Sequence, residues 1–472
     1  MPVPKGWEIK KFGDVIDIQG GSQPPKSEFI YEPKENYIQL LQIRDFGENG
    51  VPTFVPKNRV TKFCDEDDVL IARYGASLGR IVTGLAGAYN VALAKTIFDE
   101  SVLLKRFVYY LLQTQIFQVP LTMISRSAQN GFAKHEIAHI EIPIPPLATQ
   151  QAIVNKIETL FADIDAGIGC LKTAEQQLKQ YRQALLKNAF NGELTKQWRT
   201  EHAESLPSAA ELLEQIQTAR EQHYAQQLAD WQSAVKNWEE NGKQGKKPSK
   251  PKANPTAVQF EEDFADLPNG WGLIKINQIA DIFTGATPLK SNSAYYDNGS
   301  IPWVTSGSLN NEFVSTPDNF VTDLALKETN LKLLPKHTLL VAMYGEGKTR
   351  GKCSELLIEA TTNQAIAGIV INEKLPINRK FLKFYMFKNY ADIRRQSSGG
   401  VQPNLNLSLI GNIIFPFPCL AEQTQIVAIL ESKLTACDHL ATELATQLKQ
   451  AELLKQAVLK AAFSGKLLEQ SE

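Results

Sequence analysis

The amino-acid sequence predicts an α+β fold with two homologous mixed α/β domains and two long helices that form a coiled coil. Residues 150–190 recur near the C-terminus at a constant offset of 273 positions, so Leu147 and Phe190 correspond to Leu420 and Phe463. The region before each copy contains short apolar segments separated by turns rich in glycine and proline, a pattern typical of strands. These two regions also share the order of their segments, with an offset of 264 positions where they begin.

Each repeated helix carries one apolar stripe. In the first copy, apolar residues advance by threes and fours apart from one longer step, at Ile153, Ile157, Leu160, Ile164, Ile168, Leu171, Leu178, Tyr181 and Leu185. The second copy keeps the stripe at Ile426, Leu430, Leu434, Cys437, Ala441, Leu444, Leu448, Leu454 and Val458. A helix of this length extends roughly 60 Å, too long for one small domain to cover its stripe. The sequence therefore predicts that the two stripes pack against each other.

Five segments follow from these repeats. They are a first domain (residues 1–146), a first long helix (147–197), a central linker (198–266), a second domain (267–419) and a second long helix (420–472). Within the central linker, Ser208 and Glu211 form a capping-box pattern that predicts the start of a further helix. Residues 243–252 contain five lysines and two prolines, a composition that predicts a flexible basic hinge, with a clamp on DNA phosphates as the alternative.

Composition narrows the class of protein. The chain has 472 residues with 50 Lys and Arg against 51 Asp and Glu, so its net charge of -1 neither favours nor excludes nucleic acid. Five scattered cysteines without a CxxC motif predict neither a disulfide framework nor a zinc site. The first residues lack a signal-peptide pattern, and no apolar run is long enough to cross a bilayer. We therefore expect a cytoplasmic protein without a membrane partner.

Three pairs of motifs resemble the specificity subunit of type I restriction-modification enzymes. The domains open with PKGW and LPNGW, the domain–helix junctions read IPIPPLATQQAIV and FPFPCLAEQTQIV, and the long helices end in KNAFNGEL and KAAFSGKL. The resemblance extends over nearly the whole chain. It implies that each domain is a target recognition domain that reads one half of a split double-stranded DNA sequence. It further implies that the helices pair antiparallel, hold the domains apart and dock two methyltransferase (M) subunits.

The same resemblance assigns the chemistry to partner subunits. It implies that the chain is not an enzyme and holds no cofactor of its own. The methyltransferase subunits bind S-adenosylmethionine, and the restriction (R) subunits use ATP and Mg. Independently, two similar domains on a rigid rod would read two short motifs separated by unread base pairs, about one DNA turn of 34–36 Å apart. Because the domains differ in sequence, the expected target is asymmetric.

Two glycine-rich loops are the first candidate DNA contacts. The segments YGASLGR and YGEGKTRGK combine small residues with cations that suit phosphate oxygens or guanine edges. These cations are Arg80 in the first domain and Lys348, Arg350 and Lys352 in the second. Alternatively, the loops are glycine-rich turns with solvated charges.

Polar segments before the last strand of each domain are the second set of candidates. Their side chains include the Arg, Gln and Asn groups that bind base edges, at Arg126, Gln129, Asn130 and Lys134, and at Arg394, Arg395, Gln396, Gln402 and Asn404. Ordinary polar loops have the same composition. Arg44 and Arg73 are further candidates, for which the alternative is a surface ion pair.

Two other functions remain open from the residues alone. Residues 342–349 (AMYGEGKT) follow a strand-like segment and match a relaxed phosphate-loop pattern, which would indicate an ATP-dependent enzyme. The stretch that follows has no clear helix start, and the corresponding loop of the first domain lacks the Lys-Thr pair. A coiled-coil assembly protein without sequence preference is the other alternative. The six histidines form no HExxH motif, and we predict no catalytic or metal-binding residues.

Overall fold

A computed structural model describes the chain over residues 4–47, 50–127, 131–244, 247–251, 258–259, 267–344, 349–396 and 404–468, without the side chains of residues 125–127 and 396. Packing divides the chain into two compact units, Met1–Glu175 with Thr442–Glu472, and Gln176–Ala441. Each unit contains one mixed domain and one part of each long helix. The domain boundaries inferred from the sequence remain predictions.

The first domain is built from short strands in two mixed or antiparallel sheets and one strand pair. Its strands in the described residues are β1 (Glu8–Lys11), β2 (Asp17–Gly20), β3 (Tyr37–Leu41), β4 (Phe54–Pro56), β5 (Phe63–Cys64), β6 (Leu70–Ala72), β7 (Ile81–Val82), β8 (Gly87–Tyr89), β9 (Leu93–Ile97) and β10 (Glu141–Ile144). The sheet orders are β2-β9-β6-β7 and β4-β3-β8-β5, and β1 pairs with β10.

Four α-helices complete this domain in its described part. They are α1 (Phe12–Val15), α2 (Lys105–Gln113), α3 (Gln115–Ser127) and α4 (Lys134–Ile137). The sequence predicts one helix over residues 105–117, but the structure has two, because the chain turns at Thr114. The Thr114 hydroxyl donates a hydrogen bond to the Leu111 carbonyl (2.6 Å) and so satisfies an acceptor at the end of α2.

The first long helix, α5 (Leu147–Phe190), leads into the central region, which contains α6 (Lys196–Glu201) and α7 (Ala209–Glu240). The predicted capping box is present, since Ser208 Oγ accepts from the Glu211 amide (3.3 Å) and Glu211 Oε2 accepts from the Ser208 amide (2.7 Å). Leu212 and Ile216 of α7 are buried, and Ile216 belongs to the core of the second unit. The helix is therefore part of that unit.

The predicted basic hinge is partly packed rather than free over the residues that the structure describes. The Lys247 and Lys250 ammonium groups each lie 5.9 Å from the ring centroid of a tryptophan of α7. One of these tryptophans, Trp231, donates from Nε1 to the Pro248 carbonyl (3.1 Å). Residues 247–251 thus lie against α7. The cation–π contacts and this hydrogen bond offset part of the conformational entropy that the segment loses by packing there.

The second domain repeats the first in its described part. Its strands are β11 (Gly272–Lys275), β12 (Ala280–Thr284), β13 (Ile301–Val304), β14 (Phe313–Val314), β15 (Asn319–Val321), β16 (Leu339–Ala342), β17 (Cys353–Leu356), β18 (Thr361–Thr362), β19 (Ile366–Ile371) and β20 (Ile414–Phe417). Its helices are α8 (Asp323–Glu328), α9 (Arg379–Lys388), α10 (Tyr390–Gln396) and α11 (Leu407–Gly411). The orders β12-β19-β16-β17-β14, β15-β13-β18 and β11-β20 match those of the first domain strand for strand, apart from the edges.

The second long helix, α12 (Leu420–Phe463), runs antiparallel to α5 in each unit. In the first unit, Ile153 and Ile157 from the start of α5 share a core with Val458 and Leu459 from the end of α12. In the second unit, Leu185 and Phe190 from the end of α5 share a core with Ile426 and Leu430 from the start of α12. The expected antiparallel pairing is therefore confirmed.

The structure contradicts the predicted burial of one residue in each apolar stripe. Tyr181 and Leu454, which occupy equivalent positions in the two helices, are 47% and 51% exposed. The next residues point inward instead: Arg182 Nη1 pairs with Asp438 (2.6 Å), and Lys455 pairs with Asp165. The helical period explains the difference, because Arg182 is four residues after Leu178 and so lies on the same face.

A buried glutamine near the start of each long helix fixes the helix to its domain. Gln150 has no exposed surface; it accepts from the Leu104 amide (2.9 Å) and donates to the carbonyls of Val102 (2.8 Å) and Pro145 (2.9 Å). The equivalent residue in the second unit, Gln423, is equally buried. It accepts from the Asn378 amide (2.7 Å) and donates to the carbonyls of Pro376 (3.1 Å) and Pro418 (2.8 Å).

Candidate nucleic-acid interface

The two predicted glycine-rich loops occupy equivalent positions in their domains. In the first domain, the Ala72 amide donates to the Arg80 carbonyl (2.9 Å) and the Gly79 amide donates to the Ala72 carbonyl (2.8 Å). In the second, Ala342 makes the same two bonds with Lys352 (3.0 Å) and Gly351 (2.9 Å). These bonds make Arg80 and Lys352 structural equivalents.

Both loops need glycine at the residue before the cation. Gly79 has φ +82° and Gly351 has φ +83°, a left-handed conformation that strains any residue with a Cβ atom. The glycines therefore allow each loop to turn back toward its strand and to place its cation at the same point.

Each of these cations also holds a second loop. Arg80 Nη2 donates to the Phe46 carbonyl (2.7 Å) in the turn Ile43–Phe46. Lys352 Nζ donates to Asn310 Oδ1 (2.9 Å) in the equivalent turn Ser306–Asn310. Arg80 remains exposed and Lys352 is half-buried.

A third loop, which contains the polar candidates, meets the same region in each domain. A Cβ atom at Gly131 would lie 2.2 Å from the Arg73 carbonyl oxygen, and Arg73 Nη2 donates to the Phe132 carbonyl (3.3 Å). In the second domain, the Leu405 amide donates to the Met343 carbonyl (3.1 Å). The structure thus brings the two predicted loops together with a further turn, Ile43–Phe46 or Ser306–Asn310, at one edge of each domain.

The remaining candidates of the first domain are exposed cations with local partners. The Arg44 side chain is 51% exposed, and its Nη2 donates to Thr53 Oγ1 (3.0 Å). Lys134 is 60% exposed and pairs with Asp17 (2.6 Å), and this hydrogen bond holds the pKa of Asp17 below its usual value. Both cations are accessible and held in place.

The second domain places its described candidates around the same edge. Arg394 donates to the Tyr390 hydroxyl (2.7 Å), and Arg395 pairs with Asp392. Arg350 is half-buried and Asn404 is exposed. Gln129, Asn130, Lys348 and Gln402 lie outside the described residues, as do the side chains of Arg126 and Gln396. DNA contact by any of these candidates remains a prediction.

Two aromatic residues were not among the sequence candidates. Tyr74 and Tyr344 are the equivalent residues at the start of the two glycine-rich loops, and they are 39% and 38% exposed. The signal that could have identified them is the Tyr-Gly pair that opens both loops although the following residues differ.

The surroundings of residues 342–349 do not have the geometry of a phosphate loop. The described residues after this stretch form a turn at Arg350 and Gly351 and then strand β17, which pairs antiparallel with β16. A phosphate loop instead leads into a helix whose N-terminus meets the phosphates. No group of three or more His, Cys, Asp or Glu side chains suited to a metal ion occurs among the described residues.

Comparison with known families identifies the class. The family model described as "Type I restriction modification DNA specificity domain" matches residues 4–170 and 268–450, more than half of the chain. The chain therefore belongs to this family and contains the domain twice. The resemblance to the specificity subunits of type I restriction-modification enzymes is thereby confirmed.

Individual relatives agree with this assignment. The EcoKI specificity subunit of Escherichia coli K12 is 28% identical over 211 residues, which cover 42% of this chain and 45% of the relative. The E. coli EcoDI specificity subunit is 25% identical over 86% of this chain and 79% of its own length. The first alignment thus spans less than half of its relative, whereas the second spans most of it.

Solved structures confirm the fold. A chain from a type I R-M system, solved to explain complex assembly and conformational transition, has a TM-score of 0.68 at 16% identity, covering 99% of this chain and 100% of its own. The HsdS subunit from Thermoanaerobacter tengcongensis has a TM-score of 0.56 at 15% identity, covering 99% and 98%. Within the described residues, no helix has the length and apolar character needed for a membrane span.

Proposed function

We propose that this chain is the DNA sequence-specificity subunit of a type I restriction-modification complex. It reads a bipartite, asymmetric target in double-stranded DNA, with one half-site for each domain. The observation that carries the proposal is the duplicated edge at which three loops meet, each bearing Arg, Lys or Asn side chains that suit phosphates and base edges.

Differences between the two edges support an asymmetric target. Arg80 in the first domain corresponds to Lys352 in the second. Arginine can bind guanine with two parallel hydrogen bonds, whereas lysine acts as a point charge. The same framework therefore presents two different sets of reading groups.

The coiled coil docks two methyltransferase subunits, and restriction subunits join the complete complex. Several large apolar side chains of the two helices support this role, because they are exposed and leave apolar surface for a partner: Tyr181, Leu440, Leu453 and Leu454. The chain itself is not catalytic. S-adenosylmethionine, ATP and Mg belong to the partner subunits.

The experiment is to express the chain with its methyltransferase subunits in a host without other DNA methylation and to sequence the methylated bases. We expect one split motif with two unlike halves around a spacer of constant length. A selection from random DNA with the purified complex should enrich the same motif. Enrichment of no motif would favour an assembly protein without sequence preference, and a continuous motif would contradict the bipartite target.

A further inference from the structure

Tyr74 and Tyr344 occupy the same place in the two domains. The backbone amide before Tyr74, at Arg73, donates to the Ala92 carbonyl (2.8 Å), and the amide before Tyr344, at Met343, donates to the Ala365 carbonyl (2.8 Å). The last strand residues before these segments, Ala72 and Ala342, are buried, yet both tyrosines are exposed at the surface. The framework therefore holds an exposed phenol ring in each domain.

These rings lie at the edge where the three loops meet. A Cβ atom at Gly131 would lie 2.4 Å from a ring carbon of Tyr74, so the ring rests on the backbone of the third loop. The Arg73 guanidinium lies 5.2 Å from the centroid of the same ring. Tyr74 is thus held on one side by glycine backbone and flanked by a cation.

Packing alone does not account for the two exposed rings. A phenol ring that served only the core would be buried, because its apolar area favours removal from water. The loops that follow the rings differ in length and sequence, yet both begin with Tyr-Gly. A ring with an apolar body and a polar tip suits a wet interface, and tyrosine hydroxyls donate to DNA phosphates.

We propose that Tyr74 and Tyr344 are equivalent DNA-positioning residues, one for each half-site, which pack on deoxyribose and donate to a phosphate oxygen. Arg73 adds a second phosphate contact in the first domain only, since its equivalent, Met343, is buried and uncharged. Arg73 is half-buried, and within the described residues its side chain donates one hydrogen bond, from Nη2 to the Phe132 carbonyl. The inference rests on the proposed function and adds contacts that fix the register of each domain on DNA.

The test measures binding of the full chain, assembled with its methyltransferase subunits, to duplex DNA that carries the motif found for the wild type. We expect Tyr74→Ala and Tyr344→Ala each to weaken binding about tenfold, the usual effect of losing one hydrogen bond to a charged group. The selected motif should remain unchanged, because phosphate contacts carry no direct sequence information.

Matched controls are Tyr31→Ala in the first domain and Phe320→Ala in the second, at rings that are 64% and 47% exposed and belong to none of the three loops. Both controls should bind as tightly as the wild type. Tyr74→Phe and Tyr344→Phe keep the ring and remove only the hydroxyl. They therefore test the hydrogen bond to the phosphate even if an alanine variant fails to fold. Wild-type affinity in the phenylalanine variants, or in folded alanine variants, would overturn the proposal.

Arg73→Met gives an independent readout, because it places in the first domain the residue that the second domain has. Each phosphate contact contributes about 0.9 to the slope of log affinity against log salt concentration. We expect Arg73→Met to reduce the magnitude of this slope by about one. The tyrosine variants should leave the slope unchanged, because tyrosine carries no charge. An unchanged slope in Arg73→Met would overturn the proposal that Arg73 makes a second phosphate contact in the first domain.

A wild-type complex without any preferred motif would instead contradict the proposed function itself.

Discussion

At the residue scale, Asp45 is an unusual carboxylate in the turn that Arg80 holds. Its side chain is 3% exposed, and Oδ2 accepts a hydrogen bond from the Gln42 amide (2.8 Å). Its other oxygen, Oδ1, is buried without a hydrogen-bond partner among the described residues, and Arg44 Nε lies 3.9 Å away. Burial raises the pKa of Asp45 above its ordinary value of 3.8.

We expect Asp45→Asn to raise the melting temperature at pH 7. The folded state holds the proton of Asp45 more tightly than the unfolded state, so wild-type stability falls as pH rises from 3.8 through the raised pKa. Asparagine does not titrate, and its amide oxygen can accept from the Gln42 amide. The stabilisation should therefore be larger at pH 7 than near the unfolded pKa, as measured by thermal unfolding at both pH values.

Glu32→Gln is the matched control, because it makes the same change at an exposed site of the same domain. It should leave the melting temperature nearly unchanged at either pH. A lower melting temperature for Asp45→Asn at pH 7 would contradict the account of Asp45 as a poorly solvated carboxylate.

At the element scale, the junction between each domain and its long helix depends on one buried glutamine. Gln150→Leu removes three hydrogen bonds and leaves the Leu104 amide and two carbonyls without their partner. Each buried polar group left unpaired costs about 1–3 kcal/mol. We expect a loss of about 3 kcal/mol or more in the free energy of unfolding, measured by urea denaturation.

Gln423→Leu should cause a similar loss through the second unit, since it makes the equivalent three bonds. Gln151→Leu is the control, because Gln151 is the exposed neighbour of Gln150. If Gln151→Leu lowered the free energy of unfolding as much as Gln150→Leu does, the loss would not come from the buried hydrogen bonds at the junction.

An ion pair joins the two long helices in each unit, Arg182 with Asp438 and Lys455 with Asp165, and the two pairs are equivalent by the repeat. Asp438→Arg places two like charges together beside Arg182 and should lower the melting temperature. The double variant Arg182→Asp with Asp438→Arg should recover most of the loss, because it restores the pair in reverse. Since the two side chains are 37% and 65% exposed, the coupling free energy from the double-mutant cycle should not exceed about 1 kcal/mol. No recovery would indicate that these residues do not face each other.

At the scale of the whole molecule, one chain contains two domains built on the same framework, and we propose that each reads one half-site. Replacing residues 1–146 with the corresponding domain of another family member should change one half-site of the methylated motif. The other half-site should persist, because the second domain keeps its own loops. Sequencing of methylated bases measures both halves at once, and a change in both would contradict independent reading.

Much of this organisation was predictable from the sequence. The offset of 273 positions, the Phe-x-Gly helix ends and the proline-rich junctions predict the duplicated fold and the two long helices. The loops with Arg80 and Lys352 could also be identified, because glycine and a cation recur there. Tyr74, Tyr344 and the inward positions of Arg182 and Lys455 were missed, since composition does not show which side of a turn or helix faces the solvent.

The sequence by itself determined the repeat, the element types and the need for the helices to pair, because local periodicity and hydrophobic area depend on nearby residues alone. The tertiary structure decided the antiparallel direction of the helices, the buried roles of Gln150 and Gln423 and the meeting of three loops at one edge. These features depend on contacts between residues far apart in the chain. Such contacts are set by packing and hydrogen-bond geometry in three dimensions, which no local pattern specifies.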